Sequence, residues 1–119
     1  MTSLEYIKEI NKSTIDNEKI NHITEKYSDQ LPDIVKKIVS YSDSGIFLDD
    51  EIRILSYEEI LNAEKDLHVP FKDLCILPLA DCEDNDFIVF DYKNSLWAKF
   101  NIVDKTIFKK RQTLEELLP

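Results

Sequence analysis

Glycine is almost missing from this chain: Gly45 is the only one among 119 residues. That excludes a Gly-rich phosphate loop, a dinucleotide fingerprint and a nucleophile elbow, all of which need glycine at fixed positions. Cysteine is scarce as well, with Cys75 in an apolar run and Cys82 in an acidic loop. Cys75 reads as a small core hydrophobe, and the carboxylates around Cys82 disfavour a thiolate there. Both read as free thiols. Long apolar runs are absent too: the longest span about seven residues, whereas a bilayer span needs roughly 18. The opening MTSLEYIKEIN places Glu5, Lys8 and Glu9 in an amphipathic pattern rather than an apolar leader. The expectation is a soluble, cytoplasmic protein with no membrane partner. The two histidines, His22 and His68, lie far apart and outside any metal-ligand spacing with cysteine, so both read as structural.

Acid is what the chain has in excess. The formal charge is −9, distributed as −2 over residues 1–45, −10 over 46–92 and +3 over 93–119. Phosphate neutralisation needs clustered Lys and Arg, so this distribution argues against nucleic acid as the ligand. It suits a basic protein partner, and it also favours solubility.

The length is that of one domain with its own core. Thr2 or Ser3 can cap a helix to about Asn11, with Leu4, Ile7 and Ile10 on one side. Asp16 or Asn17 caps a second helix, striped by Ile20, Ile23 and Tyr27. Pro32 suits the first turn of a third, whose inner side is Ile34, Val35, Ile38, Val39 and Tyr41. SDSG then stops it, with Gly45 free to take a positive φ. Ile46–Asp49 and Ile52–Leu55 read as short strands around the acidic turn 49–51. Ser56-x-x-Glu59 has capping-box spacing and predicts a helix to about Asp66, ended by His68-Val69-Pro70. The central stretch is LCILPLADCEDNDFIVFDY, residues 74–92: two apolar runs around the acidic loop Asp81–Asp86. It reads as a β-hairpin. Ser95–Ile102 alternates as a half-buried strand, and Thr106–Lys109 reads as an edge strand guarded by Lys109, Lys110 and Arg111. Thr113-x-x-Glu116 repeats the capping box before a terminal helix. The order of elements predicts an α+β fold with a mainly antiparallel sheet.

No residue pattern carries a reaction. The acidic loop has alternating oxygen ligands at Asp81, Glu83 and Asn85. A calcium loop wants Gly at its sixth position and Glu at its twelfth, and Asp86 and Tyr92 stand there instead. Neither a metal nor a cofactor is expected. Trp97 shares a strand face with Lys99 and Asn101, which admits two readings: a partly exposed interface anchor, or an aromatic packed under a helix.

The ordered set of segments EKYSDQLP (25–32), PDIVKKIVSYSDSG (32–45), RILSYEEILNAEKDL (53–67), the stretch 74–92 and TLEELLP (113–119) resembles the SUKH superfamily. That family includes a fungal cell-wall synthesis regulator and many bacterial proteins that neutralise toxins. The resemblance covers roughly residues 17–118, leaving 1–16 as an N-terminal helix and connector. Departures occur at Ser42-Asp43-Ser44-Gly45 and around Asp81–Asp86, where family members often carry glycines. The resemblance implies a single domain with a curved sheet packed with helices, no catalysis, and a protein partner. Together with the charge map it points to an immunity protein that blocks a basic toxin domain, such as a nuclease. Its expected contacts are Asp49, Asp50, Glu51, Asp81, Glu83, Asp84 and Asp86, with Trp97 as a candidate anchor. The alternative is a scaffold or regulatory module for an endogenous partner.

Overall fold

The computed structural model describes residues 1–41 and 45–119. Three helices come first: α1 (Ser3–Lys12), α2 (Asn17–Lys26) and α3 (Asp33–Tyr41). Strands β1 (Ile46–Leu48) and β2 (Ile52–Ile54) follow, then short helices α4 (Tyr57–Leu61), α5 (Ala63–Leu67) and α6 (Phe71–Leu74). The chain closes with β3 (Ile76–Asp81), β4 (Asp86–Asp91), β5 (Leu96–Asn101), β6 (Thr106–Arg111) and a 3-10 turn, Leu114–Leu117. All six strands form one open sheet, antiparallel throughout and in chain order. The α+β expectation is met in one domain, with a radius of gyration of 12.9 Å.

Local chemistry sets most of the boundaries. The Thr2 hydroxyl accepts from the Glu5 N–H at 3.1 Å while Glu5 Oε1 accepts from the Thr2 N–H at 3.2 Å, which starts α1. Ser56 and Glu59 make the same reciprocal pair at α4. Asp16 caps α2 through the N–H groups of Glu18 and Lys19. Each cap satisfies amides that the helix itself leaves without partners.

The core is built where these elements meet the sheet. Ile76–Ala80 of β3 lies among buried residues throughout, and so does Phe87–Asp91 of β4, because both sheet faces are covered. On one face Phe71 of α6 meets Phe100 of β5 edge-on, with ring centroids 5.9 Å apart. On the other, Phe90 meets Trp97 edge-on at 5.1 Å. The 3-10 turn packs against β5 and β6.

Several expectations need correction. The inner stripe of α1 is Tyr6 and Ile10, while Leu4 is 65% exposed. Tyr6 meets the Tyr41 ring edge-on at 6.2 Å, which turns that side of the helix inward. The single helix expected from Tyr57 to Asp66 is two, interrupted at Asn62 (φ −99°, ψ 6°). The apolar run expected to begin a strand at Leu74 opens with the end of α6 instead. Cys75 then takes a left-handed conformation (φ 59°) before β3 starts at Ile76. Residues 42–44 of the expected SDSG stop lie outside the described residues. Gly45 does not take a positive φ. Its lack of a side chain matters for space: a Cβ there would lie 2.7 Å from Arg53 Nη1.

The hydroxyl of Tyr6 is buried without a hydrogen-bond partner among the described residues. Burial also pushes its phenol well above the ordinary tyrosine range. Tyr6→Phe removes only that desolvated group, so stability should rise by about 1 kcal/mol. A urea denaturation curve measures this, and a less stable variant would mean that the hydroxyl has a partner.

Candidate functional site

Two hairpins place acidic turns at one end of the sheet. In the β1–β2 turn the Glu51 N–H donates to the Leu48 carbonyl at 3.1 Å, and both central residues, Asp49 (φ 52°) and Asp50 (φ 58°), take positive φ. In the β3–β4 turn the Asp86 N–H donates to the Glu83 carbonyl at 3.2 Å, and Asp84 (φ 61°) and Asn85 (φ 66°) do likewise. Positive φ at both central positions matches the right-handed twist of paired strands. Glycine usually supplies it, but Asp and Asn tolerate it best among the other residues.

The second turn is braced by the neighbouring one. Asn101 Nδ2 donates to Asp86 Oδ1 at 2.9 Å and to the Asp84 carbonyl at 3.3 Å. Asn101 Oδ1 accepts from the N–H groups of Val103 and Asp104, and the Ile102 N–H donates to the Asn85 carbonyl. One amide side chain thus joins the acidic turn to the β5–β6 turn.

Glu51 from the first turn and Glu83, Asp84 and Asp86 from the second line one open cavity of about 400 Å³. Cys82 and Lys99 share its wall, and Leu117 of the 3-10 turn contributes an apolar side. Lys99 is the only base in that lining, so the cavity carries net negative charge. Burial pushes the Cys82 thiol up; Lys99 opposes this, and Asp81 and Asp86 add to it. The carboxylates named from sequence act in the expected direction, but burial leads.

The predicted contact residues do not all meet. Asp49 and Asp50 are exposed at the tip of the first turn, outside the cavity lining, and the Asp49 N–H donates to the Met1 carbonyl at 3.0 Å. Asp81 lies on the opposite face from Asp86: its register partners are Arg53 and Phe87, whereas Asp86 pairs with Asn101. There Asp81 Oδ2 is 3.8 Å from Arg53 Nη2. Arg53 is itself held in a two-pronged bond by Glu59, at 2.7 and 2.8 Å. The guanidinium holds the Glu59 carboxyl down to about 2, against opposing burial. Asp81 is raised, burial being the main cause. Trp97 is 5% exposed, so it is no protruding anchor; its ring packs on Phe90 at the base of a separate cavity of about 470 Å³.

Sequence reading missed Lys99 and Asn101 as parts of this end, and the Arg53–Glu59–Asp81 group altogether. Asn101 and Asp86 are register partners, a relation that appears only once the strands are paired. His22 Nδ1 lies 2.8 Å from the Tyr57 hydroxyl on an exposed surface, and His68 ends α5 in a left-handed conformation. Among the described residues, no group of three or more His, Cys, Asp or Glu side chains is arranged to hold a metal ion. Nor is any helix among them long and apolar enough to cross a membrane.

The fold and site together define an α+β domain built on an antiparallel meander with an acidic, concave end. Comparison with models of known families, with curated proteins and with solved structures finds no match to this chain.

Proposed function

We propose that this chain is a non-catalytic, cytoplasmic protein-binding module of SUKH-like type that neutralises a basic toxin domain, such as a nuclease, at its acidic end. The observation that carries the reading is the convergence of Glu51, Glu83, Asp84 and Asp86, from two separate hairpins, on one concave surface. A surface that grips phosphate is basic, and an acidic concavity both occupies it and speeds the encounter. Asp49 and Asp50, exposed on the neighbouring turn, extend the negative field.

The test is capture of the tagged protein's partner at low and high salt, followed by expression of that partner alone. A stoichiometric basic protein, released by salt and toxic by itself, supports the reading. A stoichiometric partner with no toxicity would replace it with the scaffold alternative. With the partner in hand, Glu51→Lys and Glu83→Lys should each weaken binding about tenfold and flatten its salt dependence. Asp81→Asn, on the opposite face beside Arg53, should leave both unchanged. Equal effects at all three positions would mean that the cavity is not the contact surface.

A further inference from the structure

The meander converts the charge order of the sequence into a spatial order. Residues 46–92 carry −10 and build β1 to β4 together with the helices α4–α6 between β2 and β3, whereas 93–119 carry +3 and build β5, β6 and the 3-10 turn. Lys105, Lys109, Lys110 and Arg111 are exposed along β6 and its leading turn. Among the described residues none of the four forms an ion pair with an acid, although acids outnumber bases in the chain by 24 to 15. β6 is also an open edge. It pairs only with β5, and among the described residues no other segment bonds to the backbone of Thr106–Arg111.

The edge is guarded in a particular way. Between the pairs Lys99–Phe108 and Trp97–Arg111, β6 holds one residue more than β5, and Lys109 takes φ 50° in that bulge. Bulges and lysines on an edge block pairing with an identical edge. The same cations that repel a second copy's β6 attract a strand of opposite charge. The flat part before the bulge, Thr106–Phe108, keeps its outer backbone groups open to such a strand.

We propose that the outer edge of β6 takes an acidic, extended segment of another protein as a seventh strand, in register along Thr106–Phe108 and neutralised by Lys105, Lys109, Lys110 and Arg111. Main-chain hydrogen bonds would supply affinity, and the cations would supply selectivity. Val103, 68% exposed on the turn that leads into β6, offers an apolar contact at one end. A peptide fits this surface better than a nucleic acid. The net charge of −9 disfavours a long polyanion.

The probe is a labelled short peptide of alternating Glu and Thr, followed by fluorescence anisotropy at low salt. The comparison is a peptide of equal charge with Pro in place of Thr, which cannot pair as a strand. The alternating peptide should bind and slow amide exchange at Thr106–Phe108. The Pro peptide and the double variant Lys109→Glu/Lys110→Glu should each bind about tenfold more weakly. Circular dichroism confirms that the variant is folded. Equal binding of the two peptides, unchanged exchange along β6, or binding of duplex DNA or anionic vesicles without the peptide would overturn the proposal. None of these readouts involves the acidic cavity, so the result is independent of the toxin reading.

Discussion

Phe100→Ala should lower the unfolding free energy by about 4 kcal/mol. Phe100 is fully buried, and its ring meets Phe71 edge-on at 5.9 Å. Truncation removes the transfer energy of the ring and leaves a void between β5 and α6 that neither element can close. β5 is held in register on both sides by β4 and β6. Helix α6 is a short turn fixed by the left-handed Cys75 at its end. Phe100→Leu retains most of the volume and should cost roughly a third as much. Urea denaturation of both variants separates the two outcomes. Similar small losses for Ala and Leu would mean that α6 collapses onto the sheet, which the packing described above does not permit.

Glu59→Ala should cost about 2 kcal/mol, because one carboxylate does two jobs. It accepts from the Ser56 N–H at 3.0 Å as half of the α4 cap, and it grips Arg53 with both oxygens. The Glu59 side chain is 39% exposed, so solvent screens the ionic part and holds it to less than about 1 kcal/mol. The pH dependence follows from the direction of the shift. The folded-state value, near 2, lies below the ordinary 4.5, so the stabilisation is fully present above about pH 4.5. It is lost as the pH falls from there toward about 2. Subtracting the acid-denaturation curve of Glu59→Gln from that of the parent isolates this component from the other carboxylates. A difference that stays constant across that window would show that the Arg53 contact does not persist in solution.

Short-range signals were legible in the sequence, and signals that depend on strand pairing were not. Ser56-x-x-Glu59 and Thr113-x-x-Glu116 each bring donor and acceptor together within one turn, so their spacing alone located two starts, whereas at α1 the sequence left the cap open between Thr2 and Ser3 and the structure assigns it to Thr2. The hairpin around residues 82–85 was legible for the same reason, since both apolar runs and the polar turn are contiguous. The break at Asn62 was not, because Ala63–Leu67 resumes a helical pattern after one irregular residue. Asp81 and Asp86 look equivalent in sequence, yet they fall on opposite faces. Their separation depends on strand register and on the bulge between Pro78 and Ala80. Trp97 was ambiguous because alternation cannot show that both faces of a strand are covered. Phe90 and the Asp29–Ile34 segment cover the face that holds it.

The strand order also bears on how the native state is reached. Four of the five strand connections are short turns between neighbours, whereas the passage from β2 to β3 runs through α4, α5 and α6. Sequence-local pairings close quickly, because little chain entropy is lost in each, and a long connection adds its cost in one step. β3–β6 can therefore zip together from successive hairpins, and the β1–β2 turn is likewise a local closure. Bringing these two parts together is the slow, long-range event. Glu51 belongs to one part and Glu83, Asp84 and Asp86 to the other, so the acidic concavity exists only after that event. A ligand held there recognises the finished fold and no earlier species, and by mass action it draws the folding equilibrium toward completion.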